Sequence, residues 1–261
     1  MTKFDHAVYW EDRLAKSDGL VGVGYMGLGQ PFNTWMYRLR RAIFSHAVRS
    51  HVPDLRDKTV LDVGSGTGEY LRLWQQLGAT HVQGSDLTVT AVQRLTKEFP
   101  GSDISQLDIS EPSSALGPFD AISCMDVLFH VVDQERFEQA IWNLRSALVP
   151  GGLLFLSDHF VQCPPSTELH FTTRTLAEYS ALMERVGLRI LERKPMFHLM
   201  NLPADSRSPW LHRWWGMVIW VCGKSNFLGG LLGALLFPLE FCIVRTRREG
   251  VSIEIMVCTT A

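Results

Sequence analysis

The chain has no uninterrupted apolar stretch of about 20 residues, the length that crosses a bilayer as a helix, although Phe227 to Val244 comes near it. Its opening residues, MTKFDHAVYWEDRL, are polar and charged and do not read as a signal peptide. Cysteine pairs are missing too. Cys124, Cys163, Cys222, Cys242 and Cys258 are scattered with no C-x-x-C spacing, which argues against a disulfide framework or a zinc site and suits a reducing cytoplasm. Neither sign of charge dominates: 25 basic residues face 27 acidic ones, for a net charge of −2. No strong field and no basic stripe with interleaved aromatics draws the chain to nucleic acid, so a nucleic-acid partner is not expected. What is abundant is apolar material. Hydrophobic residues make up 46% of 261 residues, enough for one large domain or one domain with an insertion.

The segment Thr59 to Gly68, TVLDVGSGTG, organises the rest. Val60, Leu61 and Val63 read as a buried strand that stops in Gly64, Gly66 and Gly68, with Asp62 two residues before the first glycine. Glycine tolerates positive φ and lets a ligand approach the backbone. The helix that follows presents unpaired N–H groups toward such a ligand. Downstream, short apolar strands alternate with helical stripes. His81 to Ser85 ends in Asp86, 18 residues beyond Gly68; a third strand ends in Leu107-Asp108-Ile109; Phe119 to Met125 is a fourth. Phe137, Ala140, Ile141, Leu144 and Leu148 mark a helix, Val149-Pro150-Gly151-Gly152 closes it, and LLFLSD is a fifth strand. A helix over about 174–186, a strand from Leu188 to Glu192 and a last strand from Val251 to Cys258 complete the pattern. This alternation predicts an α/β fold, a doubly wound, seven-stranded, mostly parallel sheet with its ligand site outside the carboxyl ends of the strands.

A dinucleotide fingerprint spaces its glycines G-x-G-x-x-G. Here the third glycine comes one position early and Glu69 stands in its place, giving D-x-G-x-G-x-G. That pattern resembles motif I of the class I S-adenosylmethionine-dependent methyltransferases, and Asp86, Leu107-Asp108, FDAIS and VPGG recur at the spacing of that family over roughly 57–158. The resemblance implies S-adenosyl-L-methionine as cofactor. The turn of Gly64, Ser65, Gly66 and Gly68 would pass under its methionine part, and Asp62 would orient the amino end. Asp86 with Leu87 would take the ribose, although Asp86 also reads as a helix N-cap, a role Thr88 could fill. Asp108 and Ile109 would meet the adenine, with Met125 closing the site at the end of the fourth strand. The resemblance also implies a hairpin of the last two strands.

The ends of the chain lie outside the resemblance. Residues 1–58 read as an N-terminal helical lid or substrate segment ahead of the methyltransferase region 59–261. In it Tyr9, Trp10 and Leu14 have near-helical spacing, and Gly19 to Gly29 reads as a flexible lid or a packing turn. The segment Asn33 to His51 reads as a helix whose Arg38, Arg41 and Arg49 form a solvated basic face. Residues 197–249 read as an insertion before the last strand, with Trp210, Trp214, Trp215 and Trp220 close together. Glu240 and Pro238 interrupt its apolar run and argue against a true span. Two readings of the insertion stay open. It is a helical cap over the active site for a greasy acceptor, or an interfacial element, 210–248, that meets lipid through its tryptophans, Arg245, Arg247 and Arg248.

Displacement at a sulfonium needs alignment and a dry site, and a hydroxyl acceptor also needs a base. His130, after the fourth strand, and Asp158 with His159, ending the fifth, are the candidates, with His170 behind them. The stretches Leu128-Phe129-His130 and Ser157-Asp158-His159 resemble the LHH and ADF stretches of bacterial sugar O-methyltransferases. Phe129 replaces the first histidine there and His159 precedes Phe160, so which histidine acts stays open. No ligand spacing supports a metal. The expected activity is O-methylation of a glycan, a glycosylated product or a lipid-like small molecule, in the cytoplasm or at a membrane facing it. Quinone C-methylation at a membrane and a non-catalytic cofactor-binding partner subunit are the alternatives. The oligomeric state is not encoded in any motif.

Overall fold

A strand with apolar residues on both faces needs cover on both sides, and β1 (Thr59–Val63) shows how the chain provides it. Val60 joins a hydrophobic cluster with Phe44, Leu71 and Trp74, whereas Leu61 and Val63 join a second cluster with Ile141, Leu144 and Met183. The computed structural model describes residues 5–17, 19–112 and 116–260, so the first four residues of the polar opening stretch lie outside the described residues. Ahead of β1 come α1 (His6–Lys16), α2 (Leu20–Val23) and α3 (Gly29–His51). After it follow α4 (Glu69–Gln76), β2 (His81–Asp86), α5 (Val89–Glu98), β3 (Asp103–Gln106) and β4 (Phe119–Met125). The second half holds α6 (Gln134–Ser146), β5 (Leu148–Asp158), α7 (Leu176–Arg185), β6 (Leu188–Pro195), α8 (Pro209–Lys224), α9 (Asn226–Thr246) and β7 (Glu254–Thr260).

The strands form one seven-stranded sheet in the order β3-β2-β1-β4-β5-β7-β6. The first five run parallel, and β7 lies antiparallel between β5 and β6. This is the doubly wound, mostly parallel sheet expected from the strand–helix alternation. Its order reverses between β1 and β4, which opens a crevice at their carboxyl ends. Local signals set the helix starts. Thr88 accepts Ala91 N–H at the start of α5, Asp133 accepts Arg136 N–H before α6, and Thr175 and Glu178 form a reciprocal capping box on α7.

Some boundaries differ from expectation. Val149-Pro150-Gly151-Gly152 does not close a helix: α6 ends at Ser146 and these residues already belong to β5. The ladder slips there, pairing Phe119 with Leu148 but Ala121 with Leu153. A proline, which has no N–H, and Gly151 at φ +74 fit such a bulge. The third strand stops at Gln106, and Leu107 follows as loop, its N–H bonded to Asp86 O at 2.9 Å. The last strand begins at Glu254 rather than Val251. Of the two readings of the glycine-rich stretch, the structure shows a packing turn. Asn33 accepts Tyr25 N–H at 3.0 Å and donates to Tyr25 O at 2.9 Å, and Arg13 donates to Gly24 O.

Residues 196–253 connect the antiparallel neighbours β6 and β7 and carry α8 and α9 as a hairpin turning at Ser225. By length and composition α9 could cross a membrane, with a mean hydropathy of 2.1. It is nevertheless tied into the fold. A Cβ at Gly233 would lie 2.5 Å from Trp35 of α3, so the two helices approach closely. Glu240, fully buried, accepts the backbone N–H groups of His198, Leu199 and Met200.

Candidate active site

The glycine turn after β1 is built by backbone that few other residues could adopt. Gly64, Gly66 and Gly68 have φ of +72, +53 and +77. A Cβ on Gly64 would come within 2.3 Å of Val127, and one on Gly66 within 2.7 Å of Val23. The turn is pinned from β2, where Ser85 O accepts Gly64 N–H at 2.8 Å and Ser65 N–H at 2.9 Å. Gly68 does something else. It begins α4, and a Cβ there would strike Phe99 and Leu95 of α5, so it serves helix packing.

Above this turn lies a cavity of about 600 Å³ that follows the carboxyl ends of β1, β2 and β4. Gly64, Ser65, Gly66, Asp86, Leu87, Asp108, Ile109, Met125 and His130 of the expected residues line it. Asp86 is buried, and both its oxygens meet donors: Oδ2 accepts Gly66 N–H at 2.8 Å, and Oδ1 accepts Thr88 N–H at 2.9 Å and its hydroxyl at 2.7 Å. It therefore braces the glycine turn, while Thr88 takes the N-cap role. Burial raises its pKa. Asp108 pairs with Arg136 at 2.7 Å and accepts Ser110 N–H at 2.9 Å.

Asp62 lies just behind the turn and outside the cavity lining. Its Oδ1 accepts the Ser123 hydroxyl, and its Oδ2, buried, meets no donor among the described residues. Burial pushes its carboxyl up to about 7. An unfilled buried acceptor costs free energy unless a donor arrives. A glycine cradle beside a vacant carboxylate oxygen fits a nucleoside ligand with a cationic amino end.

The three candidate bases part company. His130 lines the cavity, with Nδ1 2.7 Å from His170 O. A carbonyl can only accept, so Nδ1 carries the proton and Nε2 keeps its lone pair. Burial lowers its pKa to about 3, so the ring is neutral at physiological pH. Asp158 and His159 do not line the cavity, against the expectation that they join the site. Asp158 is fully buried, accepts the Tyr179 hydroxyl and bonds His159 N–H at 2.6 Å. His159 is buried with its pKa lowered to about 4. Both are packed away from the cavity, Asp158 against Tyr179 of α7 and His159 against Phe129. His170 holds His130 in place through its backbone, and the rings lie 6.1 Å apart.

The N-terminal segment, rather than the insertion, covers the cavity. His6, Trp10, Leu14 and Val23 line it, and no residue of 197–249 does. Sequence patterns did not reveal several other lining residues, among them Thr67, Tyr37, Tyr70 and Asp126. Asp126 has φ +61, a costly conformation for a side-chain-bearing residue. It is held by Ser157, which accepts its N–H at 2.8 Å and donates to Oδ1 at 2.7 Å, and by an ion pair with buried Arg40. The only advance signal was an acid directly after a strand. Of the expected basic face, Arg41 is bound instead to Glu69 at 2.8 Å and Arg38 lies over Trp35. Among the described residues no cluster of His, Cys, Asp or Glu could hold a metal ion.

A family model described as a methyltransferase domain matches residues 35–218. The tRNA U34 carboxymethyltransferase of Pseudoalteromonas translucida is 28% identical over 176 residues, covering 62% of this chain and 53% of that one. The ubiquinone biosynthesis O-methyltransferase of Neisseria meningitidis is 29% identical over 136 residues, covering 48% and 52%. The chain thus spans about half the length of these curated relatives. In fold it is similar to the magnesium protoporphyrin IX methyltransferase of Synechocystis PCC 6803 with bound SAH, at 16% identity, 98% coverage of both chains and a TM-score of 0.60.

Proposed function

This chain belongs to the methyltransferase-domain family, and from that premise we propose that it binds S-adenosyl-L-methionine and methylates a hydroxyl oxygen of a largely apolar small molecule, a glycosylated or lipid-like acceptor. The cofactor supplies a methyl group made electrophilic by a sulfonium. The backbone of Gly64 to Gly66 cradles its methionine part, and Asp62 Oδ2 accepts from the ammonium. Asp86, with one lone pair left on Oδ2, accepts from the ribose, and Asp108 and Ile109 border the adenine. His130 receives the hydroxyl proton at Nε2 as the acceptor oxygen attacks.

The observation that carries this reading is the tautomer of His130, a neutral imidazole with a fixed Nδ1–H and its other nitrogen available in the cavity wall. The ubiquinone O-methyltransferase relative is a second support for an oxygen acceptor. The tRNA-modifying relatives favour a second reading, an RNA acceptor. The net charge of −2 gives that reading little electrostatic footing.

Methyl-labelled cofactor, offered separately with a membrane-lipid extract and with total tRNA, tests both. Label in an organic-soluble product, with turnover reduced roughly 10²–10⁴-fold by His130→Ala at unchanged cofactor affinity, is the expected result. Label in the tRNA would establish the second reading. Turnover indifferent to His130→Ala would instead point to a carbon acceptor such as a quinone ring, which needs no base. A protein that binds the cofactor but transfers nothing would be a partner subunit.

A further inference from the structure

Eight of the fifteen exposed large apolar side chains among the described residues fall between Trp210 and Leu239, so the α8–α9 hairpin concentrates what the rest of the surface disperses. Trp210, Met217 and Trp220 stand out from α8. Phe227, Leu228, Leu231, Leu235 and Leu239 do so from α9, Phe227 and Leu235 being 77% and 66% exposed. From Ser225 to Val244 every exposed residue is uncharged. The one charge in that stretch, Glu240, is buried against the backbone of 198–200, which fixes α9 on the body of the fold and rules out a free span.

The border of this face is basic. Lys224 stands at the α8 end of the turn, with its Nζ 5.1 Å over Trp220, while Arg213, exposed on α8, falls at helical spacing within the row of Trp210, Met217 and Trp220. Arg245, Arg247 and Arg248 close the other end of α9. The nearby Glu249 lies 3.6 Å from Arg193. A two-fold pairing of this face with a second copy would set basic ends near basic ends. An anionic surface would be attracted at both ends while the apolar rows leave water.

We propose that the exposed face of α8 and α9 docks the protein on an anionic phospholipid bilayer, with the helices lying flat at headgroup depth. The docked face is joined to the cavity by a short path. Tyr25 meets Trp215 of α8 edge-on at 5.5 Å, and Val23, two residues earlier, lines the cavity beside Gly66. A bilayer-borne acceptor would therefore meet the wall formed by residues 20–28 first. The docking itself does not depend on the methyl-transfer reading, and its test measures binding alone.

Flotation of the full chain with phosphatidylcholine vesicles, with and without phosphatidylglycerol, is the experiment. Binding is expected only where phosphatidylglycerol is present. It should weaken by about fivefold for each of Arg247→Gln and Arg248→Gln, and by at least tenfold for Leu235→Glu. Leu235 is exposed, so that variant should melt with the wild type. If it does not, Phe227→Gln, at the exposed start of α9, takes its place with the same expectation. No binding to the anionic vesicles, or binding that ignores both apolar substitutions, overturns the proposal. So does a concentration-dependent dimer in light scattering that Leu235→Glu dissolves, which would give the face to a second copy.

Discussion

Ser123 donates its hydroxyl to Asp62 Oδ1 at 2.5 Å across the boundary between β1 and β4, and is itself held by Trp74 Nε1–H at 2.9 Å. This chain fixes the carboxylate plane and leaves Oδ2 as the vacant acceptor. With its pKa raised to about 7 by burial, Asp62 is partly protonated near neutrality. It accepts fully from an ammonium only once that proton has left. Cofactor affinity, measured by calorimetry, should therefore tighten as pH rises from about 5.5 to 7.5. Asp62→Asn should flatten this dependence and weaken binding by roughly 10- to 100-fold, the worth of a hydrogen bond to a charged group. A wild-type affinity that is flat over this range would remove Asp62 from the cofactor site.

The three motif glycines should separate by phenotype. Gly64→Ala and Gly66→Ala place a methyl against Val127 and Val23, at the cavity, in backbone of φ +72 and +53. They should abolish measurable cofactor binding. Gly68→Ala instead presses on Phe99 and Leu95 between helices. It should cost about 2–4 kcal/mol of stability, from left-handed backbone and overpacking together. Its cofactor affinity should stay within a few-fold of wild type below the melting transition. Cofactor binding lost as fully in Gly68→Ala as in the other two variants would contradict this division.

The sheet and the cofactor end of the cavity were legible because both are local in sequence. A strand, a glycine turn and a helix start are contiguous; Asp86 ends β2 and Asp108 lies two residues past β3, and their parallel register puts both at the same edge. What could not be read depends on contacts made at a distance. Period-2 alternation places Asp158 at a strand end, yet only the packing of α7 shows it facing Tyr179 instead of the cavity. Arg40 reads as one more basic residue on a helix, and its burial against Asp126 follows from how α3 crosses the end of β4. Of the two readings of the insertion, the cover for the site drew on its aromatics, but α1 and α2 line the cavity and no residue of 197–249 does.

Asp158 also sets a pH signature. Its carboxyl is raised to about 7, chiefly by burial, above the 3.8 of an ordinary aspartate. A raised folded value means that its contribution to stability is complete below the unfolded pKa and is lost as pH rises through about 7. His130 and His159, lowered to about 3 and 4, act in the opposite sense, losing stability as pH falls below the unfolded 6.5. The wild-type curve mixes the two. The difference between wild type and Asp158→Asn isolates the acid, because the amide keeps an acceptor for Tyr179 and cannot ionise. Denaturant melts of the ligand-free protein should show the variant gaining on wild type steadily between pH 5 and 8. A constant difference would mean that Asp158 ionises in the fold at its ordinary pKa.

The cavity-lining helix α1 is held by a carboxylate on a helix start. Glu11 of α1 accepts Val89 N–H at 2.8 Å and Thr90 N–H at 3.0 Å, both at the N-terminus of α5, and Arg94 of α5 donates back to Leu14 O at 3.0 Å. The charge sits where the helix dipole is positive. That grip holds Trp10 edge-on to His130 at 4.7 Å, both in the cavity wall. Glu11→Ala leaves two N–H groups to solvent and should loosen α1 from α5 by about 1–2 kcal/mol. Amide exchange over residues 6–16 should quicken by roughly 5- to 30-fold, and cofactor release should accelerate with it, while the sheet keeps its protection. Glu11→Gln, which retains one acceptor oxygen, should fall between. If exchange in α1 quickened with no change in cofactor release, α1 would be packing on the outside of the site without closing it.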